Sequence, residues 1–266
     1  MLRSGNAGAN TAADQIAVVD AALAQLPREV CEQAELLVRT DSAGLTHDLL
    51  DYLHDGGIRF SVGMDMTEDV RQAVLQIADR DWVAAVSADG ERREQAYVAE
   101  LSLELAGWPA GSRAICRRER AHPGAQLSLI DRDGWRHQVF MTDQEGELAE
   151  LDLRHRGHAR IEDRVRCAKQ IGLENLPFRE FAANEVWLEL SLVAQDLLAW
   201  TKRLALEDEL ARAEPKRLRY RLLHQAGRIV RSGRRTRLRL ERSWPWAQAL
   251  VAAFERVRAL PAPAPP

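Results

Sequence analysis

Four residues in the segment 155–169 are spaced to share one face of a helix. His155, His158, Glu162 and Lys169 lie at −7, −4, 0 and +7 relative to the glutamate. At about 100° per residue they line up beside an apolar stripe of Ile161, Val165 and Ala168. A helix anchored by that stripe presents a carboxylate, an ammonium and two imidazoles in a row. The same spacing also describes an ordinary solvated face laced by i,i+4 and i,i+7 pairs. A second carboxylate, Asp41, follows the short apolar run Leu36-Leu37-Val38 and Arg39-Thr40. At the carboxyl end of a buried strand in an α/β sheet, it points into the crevice where such folds place their sites. A turn aspartate bonded to the amides of Ser42-Ala43-Gly44 would look the same in sequence.

Asp41 and Glu162 together suggest hard-cation chemistry. Mg²⁺ takes a few carboxylates together with water and phosphate oxygens. Two such ions about 4 Å apart can activate an attacking oxygen and stabilise a leaving one in phosphodiester displacement. That arrangement usually needs three carboxylates, and two are visible.

The elements that must position these groups begin as an α/β layer pattern. Thr11 or Asn10 can cap a helix running to about Leu26 and stopped by Pro27. A strand at 36–38 leads to Asp41. Thr46 caps a helix near 47–54 that Gly56-Gly57 ends, and Ile58–Val62 reads as a second buried strand. Thr67 caps a third helix to about Ala78, with Glu68 and Asp69 in its first turn. Short β-type runs follow at 82–86, 114–118, 126–130 and 137–142, separated by turns at 88–90, 109–111, 123–124 and 133–134. They read as a strand-rich insertion. Residues 152–171 read as one helix ended by Gly172. The next helix, about 181–206, should bury Val186, Leu190, Val193, Leu197 and Trp200. A basic helix is expected at 216–230, ending at Ser232-Gly233. Ser243 caps a last helix to about Leu260, and PAPAPP (261–266) reads as a disordered tail.

The division expected is 1–86 as a partial core with Asp41, 87–143 as the insertion, 144–206 as core helices with Glu162, and 207–260 as a basic region. Its charge is uneven. Residues 201–266 hold 16 Lys+Arg against 6 Asp+Glu, and residues 1–200 hold 21 against 34. An acidic body with a basic tail suits a polyanionic partner, or a body that its own tail complements. Arg235, Arg237 and Arg239 alternate with Thr236, Leu238 and Leu240, so the arginines share one strand face. They could track a DNA backbone, with Arg217, Arg219, Arg221, Arg228 and Arg231 extending the footprint, or they could guard an edge strand from aggregation. Trp244 and Trp246 read as helix-start packing. Cys31, Cys116 and Cys167 form no metal or redox spacing and read as reduced thiols of a cytoplasmic protein. No run is long and apolar enough for a membrane span, so no membrane partner is expected.

Four segments resemble the DDE transposases of bacterial insertion sequences that carry a β-rich insertion before the last acidic residue. They are RSGNAGANTAAD (3–14), VRTDSAG (38–44), HRGHARIEDRVRCAK (155–169) and RLRYRLLHQAGRIVRSGRRTRLRLERSWPWA (217–247). The resemblance implies an RNase H-like α/β core carrying Asp, Asp and Glu. Asp41 corresponds to the second Asp, Glu162 to the Glu, and Lys169 to a lysine that holds transposon-end DNA. It implies Mg²⁺ or Mn²⁺ in a two-metal site, double-stranded DNA as substrate, and a homodimer on paired ends. His155 and His158 stand where the family often has Tyr and Arg; imidazoles can still donate to phosphate. The family's first Asp lies upstream of the segment that here begins at Arg3. The resemblance therefore implies a chain with its first core strands missing, N-terminally truncated and by itself inactive. Asp14 and Asp20 lie on a helix and do not replace the missing Asp. Three other readings share these residues: a DNA-binding remnant that cuts nothing, an unrelated RNase H-like nuclease, and a degenerate reading frame without a role.

Overall fold

The computed structural model describes residues 1–3, 5, 7, 8, 11–120, 134–157 and 159–261, with Ala159 and Arg160 described by backbone alone. The strand expected at 126–130, the turn at 123–124, His158, the Asn10 cap and the 262–266 tail lie outside these residues. The chain divides into two compact units, one of Arg3–Arg160 and one of Met1–Leu2 with the stretch from Ile161 onward.

The first unit is a mixed α/β layer. Its elements are α1 (Ala12–Leu23), α2 (Arg28–Gln33), β1 (Leu37–Thr40), α3 (His47–Asp55), β2 (Arg59–Met64), α4 (Glu68–Gln76), β3 (Val83–Val86), β4 (Arg92–Glu100), β5 (Arg113–Arg120), β6 (Trp135–Thr142) and α5 (Leu148–Arg156). The strands form a six-stranded sheet in the order β1-β2-β6-β5-β4-β3. β1 and β2 are parallel, and the other neighbours are antiparallel. The strand-rich stretch therefore continues the sheet that β1 and β2 begin. β4 was not foreseen: its Arg-Arg-Glu-Gln start hides the apolar alternation that emerges only at Ala96 and Val98.

Period-two alternation divides the sheet into two faces. On one, Phe60, Val62 and Met141 pack under Leu49, Leu50 and Leu53 of α3, with Ile16, Val19 and Leu23 of α1 against the same cluster. Val70 and Ala73 of α4 cover Ala114, Cys116 and Val139 on that face. On the other, α5 sets Leu148 and Leu151 against Ile115 and Phe140. Burial of so many Leu, Ile, Val and Phe side chains, at about 1.5–3 kcal/mol each, is what opposes the entropy of ordering the layer.

The caps expected at Thr46 and Thr67 form: each hydroxyl accepts from an amide three residues on, at 3.4 Å. Thr11 stands at the N-cap of α1, but its hydroxyl donates to the Gly8 carbonyl and accepts from Arg3 instead. The turns at Gly90, Gly111 and Gly134 are real, each glycine having φ near +80°.

The second unit holds α6 (Ala159–Ala168), a π-helical turn (Lys169–Leu173), α7 (Phe181–Leu204), α8 (Asp208–Arg212), α9 (Pro215–Leu218), a second π turn (Arg219–Leu223), the hairpin β7 (Gly227–Ser232) and β8 (Arg235–Leu240), and α10 (Ala247–Arg258). Its core is small: Leu206, Leu210, Leu218 and Leu222 with Ala205, Ala213 and Ala253.

Several expectations are corrected here. The helix expected over 152–171 is interrupted: α5 ends at Arg156 with Gly157 as its C-cap, and α6 starts at Ala159. The one-face alignment of His155, Glu162 and Lys169 on a single helix therefore does not exist. Ile161 and Val165, expected to anchor that helix, are exposed, and only Ala168 is buried. On α7 the residues expected inside are outside: Val186, Leu190, Val193, Leu197 and Trp200 are all exposed, while Asn184 and Ser191 are buried. The basic helix expected over 216–230 stops at Leu223. Gly227 and the β-branched Ile229-Val230 pair favour a strand, and Gly233, at φ +58°, begins a two-residue hairpin turn. Ser243 bonds Glu241 rather than capping α10, which begins after Trp246.

Candidate functional site

Asp41 stands where β1 runs out. Alternation puts it on the sheet face of Arg39, Ser61 and Gly63, opposite Val38 and Phe60. Its Oδ1 accepts from the Ala43 amide at 3.1 Å and so caps a 3-10 turn over Ser42–Gly44. Three neighbours fix this turn. Gln15 Nε2 of α1 donates to the Ala43 carbonyl at 2.9 Å. A β-carbon on Gly44 would meet Thr40 Oγ1 at 2.1 Å, and one on Gly63 would meet the Ser42 amide nitrogen at 3.0 Å. The Thr40 side chain against Gly44 and the Asp41–Ser42 backbone against Gly63 seat Asp41 over β2, and the residue is exposed.

β1 is the outer strand of the sheet. β2 occupies one side, and among the described residues no strand pairs with the other. Asp41 thus lies beside an open row of backbone donors and acceptors.

Around the end of α5 a polar network covers the same face. His155 stacks on Phe140, and Arg39 Nη1 donates to the Arg154 carbonyl. Arg156 Nε donates to Asp152 at 2.8 Å, and Arg117 stands 3.9 Å from the same buried carboxylate. Burial pulls the Arg117 guanidinium below its usual range, against the opposing pull of Glu119 and Asp152. Sequence reading missed this cluster. The Asp152–Arg156 pair, four residues apart on a helix, was its one readable signal.

Glu162 lies in the first turn of α6 and is exposed. Lys169, also exposed, opens the π turn that follows. α6 is tied to the rest of its unit by Arg166, which bridges Asp163 and Glu214, and by Gln170, which also reaches Glu214 at 3.2 Å. Arg166 in turn holds the Glu214 carboxyl below its ordinary range. Asp41 and Glu162 therefore belong to different units, each held by its own neighbours. Among the described residues no three His, Cys, Asp or Glu side chains gather as a metal-binding group.

The basic hairpin is the third feature. Register places Arg228 opposite Arg239, Val230 opposite Arg237 and Ser232 opposite Arg235. Arg228, Arg235, Arg237 and Arg239 therefore share one face. Like charges directly opposite across a ladder oppose its pairing. Among the described residues, none of these four arginines has an ion pair. A two-stranded ribbon is already marginal alone. This one concentrates unneutralised guanidinium groups on a single exposed surface, a charge pattern that a polyanion would complement.

The whole pattern has a counterpart among known families: the model of the transposase DDE domain, group 1, matches residues 1–262. The chain belongs to this family. No curated protein matches the chain. Membership implies an enzyme of the nuclease or transposase type, in a family whose substrate is DNA and whose members generally use divalent metals. No helix among the described residues is long and apolar enough to cross a membrane.

Proposed function

We propose that this chain is the part of an insertion-sequence transposase that contributes two of three catalytic carboxylates and a DNA-binding surface. The family match supports the transposase reading. The open edge of β1 beside Asp41 supports the rest. A strand pairing on that edge would continue the sheet into an RNase H-like core and could carry a third carboxylate next to Asp41. Such a carboxylate would complete the set that two metal ions share.

In the completed enzyme Asp41 and Glu162 hold Mg²⁺ or Mn²⁺. The metal pair supplies activation of the attacking oxygen and charge relief at the leaving one in cleavage and strand transfer. Asp41 suits such a role because its carboxyl is exposed and its position is set by backbone packing rather than by an ion pair. Lys169, His158 and the arginines of the hairpin hold the DNA backbone. His155, seated on Phe140 and Ser61, fixes the last turn of α5. The expected division into a partial core, a strand-rich insertion, core helices and a basic region fits these roles.

A second reading, a DNA-binding remnant without chemistry, is favoured by one observation: no three metal ligands gather among the described residues. One experiment separates the two. The chain is incubated with Mn²⁺ and pre-cleaved ends from the flanks of its own gene, alone and as an extended protein carrying the upstream reading frame. Joined products only with the extended protein, abolished by Asp41→Asn and by Glu162→Gln, are expected. Joining that survives Glu162→Gln refutes the site; no joining from either protein leaves the remnant reading in place of the enzyme.

A further inference from the structure

The exposed apolar residues of α7 are not scattered. Val186, Leu190, Val193, Leu197, Trp200 and Leu204 repeat at intervals of four and three, and each is between 48% and 62% exposed. That is the a/d spacing of a coiled-coil seam. The opposite side of the helix is already used: Asn184 bonds the Phe178 backbone, Trp187 Nε1 donates to the Gly172 carbonyl, and Gln195 donates to the Arg164 carbonyl. A helix about 36 Å long that packs its polar side inward and turns a heptad stripe outward calls for another helix.

We propose that the seam is closed by α7 of a second copy of this chain, lying antiparallel. The rim charges choose that occupant and orientation. Relative to the stripe, Glu189, Asp196 and Arg203 occupy successive flanking positions one heptad apart. Among the described residues neither Glu189 nor Arg203 has an ion pair. With Val186 opposite the partner's Leu204, Leu190 opposite the partner's Trp200 and Val193 opposite the partner's Leu197, every seam residue meets another. In that register Glu189 faces the partner's Arg203, and the two-fold axis repeats the pair. A parallel pairing brings Glu189 and Asp196 against Ala194 and Thr201 and leaves Arg203 without an acidic mate. The antiparallel register has one unfavourable element: Asp196 faces its own copy near the axis.

This inference does not depend on the transposase reading, because its test reads association alone. Sedimentation equilibrium of the whole chain should show a dimer with a dissociation constant on the order of micromolar, as befits an interface at the small end of specific ones. Leu190→Glu with Leu197→Glu should weaken it at least about 100-fold with an unchanged circular dichroism spectrum, since the seam is not part of the monomer core. Glu189→Arg and Arg203→Glu should each weaken it about 5- to 10-fold, their combination should restore it, and Asp196→Asn should tighten it. A monomer up to about 100 μM, a dimer indifferent to the two seam glutamates, or a failure of the combined charge swap to restore association overturns the proposal. Protection of α7 amides in a chain that stays monomeric, which would mean that the chain covers its own seam, overturns it as well.

Discussion

His155 lies flat against Phe140, ring centroids 4.2 Å apart and planes within 4°, while its Nδ1 sits 2.8 Å from Ser61 Oγ. The contact pins the last turn of α5 to the sheet. Removing the ring should open a gap over Phe140 and strand the Ser61 hydroxyl, which is buried. His155→Ala is expected to cost about 2–3 kcal/mol of stability and Ser61→Ala about 1 kcal/mol. Because they share one bond, a double-mutant cycle in urea should show coupling of about 1 kcal/mol. Two small, additive losses would show that the ring is not a structural anchor.

The position of Asp41 depends on two glycines that leave no room for a methyl group. Gly44→Ala drives a β-carbon against Oγ1, Cβ and Cγ2 of Thr40, a β-branched side chain with little freedom to turn away. Overpacking there should cost about 1–3 kcal/mol and displace the Asp41 turn. The informative readout is the amide of Ala43, which the Asp41 carboxyl accepts from. Its hydrogen exchange should accelerate in Gly44→Ala while amides of α4 keep their rates. Unchanged exchange at Ala43 would show that the turn is set by something else.

The sequence made the Asp41 half of this architecture readable because its signals are local. Thr46 and Thr67 each precede an acidic first turn, and Leu36–Val38 and Ile58–Val62 are too short to be helices. The Glu162 half misled because periodicity reports only that residues share a face, not which face is inside. On α7 the apolar stripe has the period of a core face, yet the small core of that unit is built from Leu206, Leu210, Leu218 and Leu222 beyond the helix. The alignment of His155, His158, Glu162 and Lys169 assumes one helix that runs straight through Gly157. α5 ends there with the Gly157 amide on the Arg154 carbonyl, which also accepts from Arg39 of β1, a long-range contact no local pattern announces. β7 was hidden by the arginines on either side of Ile229-Val230, which resemble a basic helix as readily as a strand.

Cys116 is fully enclosed between β4 and β6, and burial pushes its thiol up to about 12. The thiolate is the reactive form, so alkylation at pH 8 should leave Cys116 untouched in the native protein. Cys31 and Cys167 are only half-buried and should react first, Cys167 slowly because burial also raises its thiol. Peptide mapping after brief iodoacetamide treatment should find Cys116 modified only once denaturant is added. Native labelling of Cys116 would contradict the packing of the central sheet.

The unit from Ile161 onward should be the acid-sensitive one. Glu214 is held below its usual range by hydrogen bonds from Arg166 and Gln170, Glu209 by Arg221, and Glu241 by the amide and hydroxyl of Ser243. A carboxylate with a depressed folded pKa adds stability that is complete above its unfolded value and is lost as pH falls through the folded one. With an unfolded value of about 4.3 for Glu, loosening should set in below about pH 5 and grow toward pH 3. All three glutamates are solvent-exposed, so the change is modest and salt-sensitive. The protection factors of α6 and α9 amides, with the intrinsic pH dependence of exchange divided out, should fall with acidification, and Glu214→Gln should flatten that fall. A pH-independent protection factor in wild type would remove these pairs from the account of how α6 is held.

The hairpin arginines give the most direct test of DNA contact, because phosphate neutralisation leaves a quantitative trace. Each contact releases counterions, and the logarithm of the binding constant falls with the logarithm of salt with a slope of about −0.9 per phosphate. Arg228, Arg235, Arg237 and Arg239 share one face without acidic partners among the described residues, so each is available to one phosphate. Replacing Arg235, Arg237 and Arg239 by Ala should therefore lower the slope by about 2–3 and weaken binding to any duplex alike, since backbone contacts carry no sequence information. Folding should not suffer: Arg239→Ala removes a like-charge opposition to Arg228, so the ribbon is expected to be slightly firmer. Lys substitutions should keep the slope, because the charge remains. A triple variant with the wild-type slope would mean that the DNA lies elsewhere. A slope that falls only for one duplex sequence would mean that the arginines read bases, contrary to their placement on a ribbon exposed on both faces.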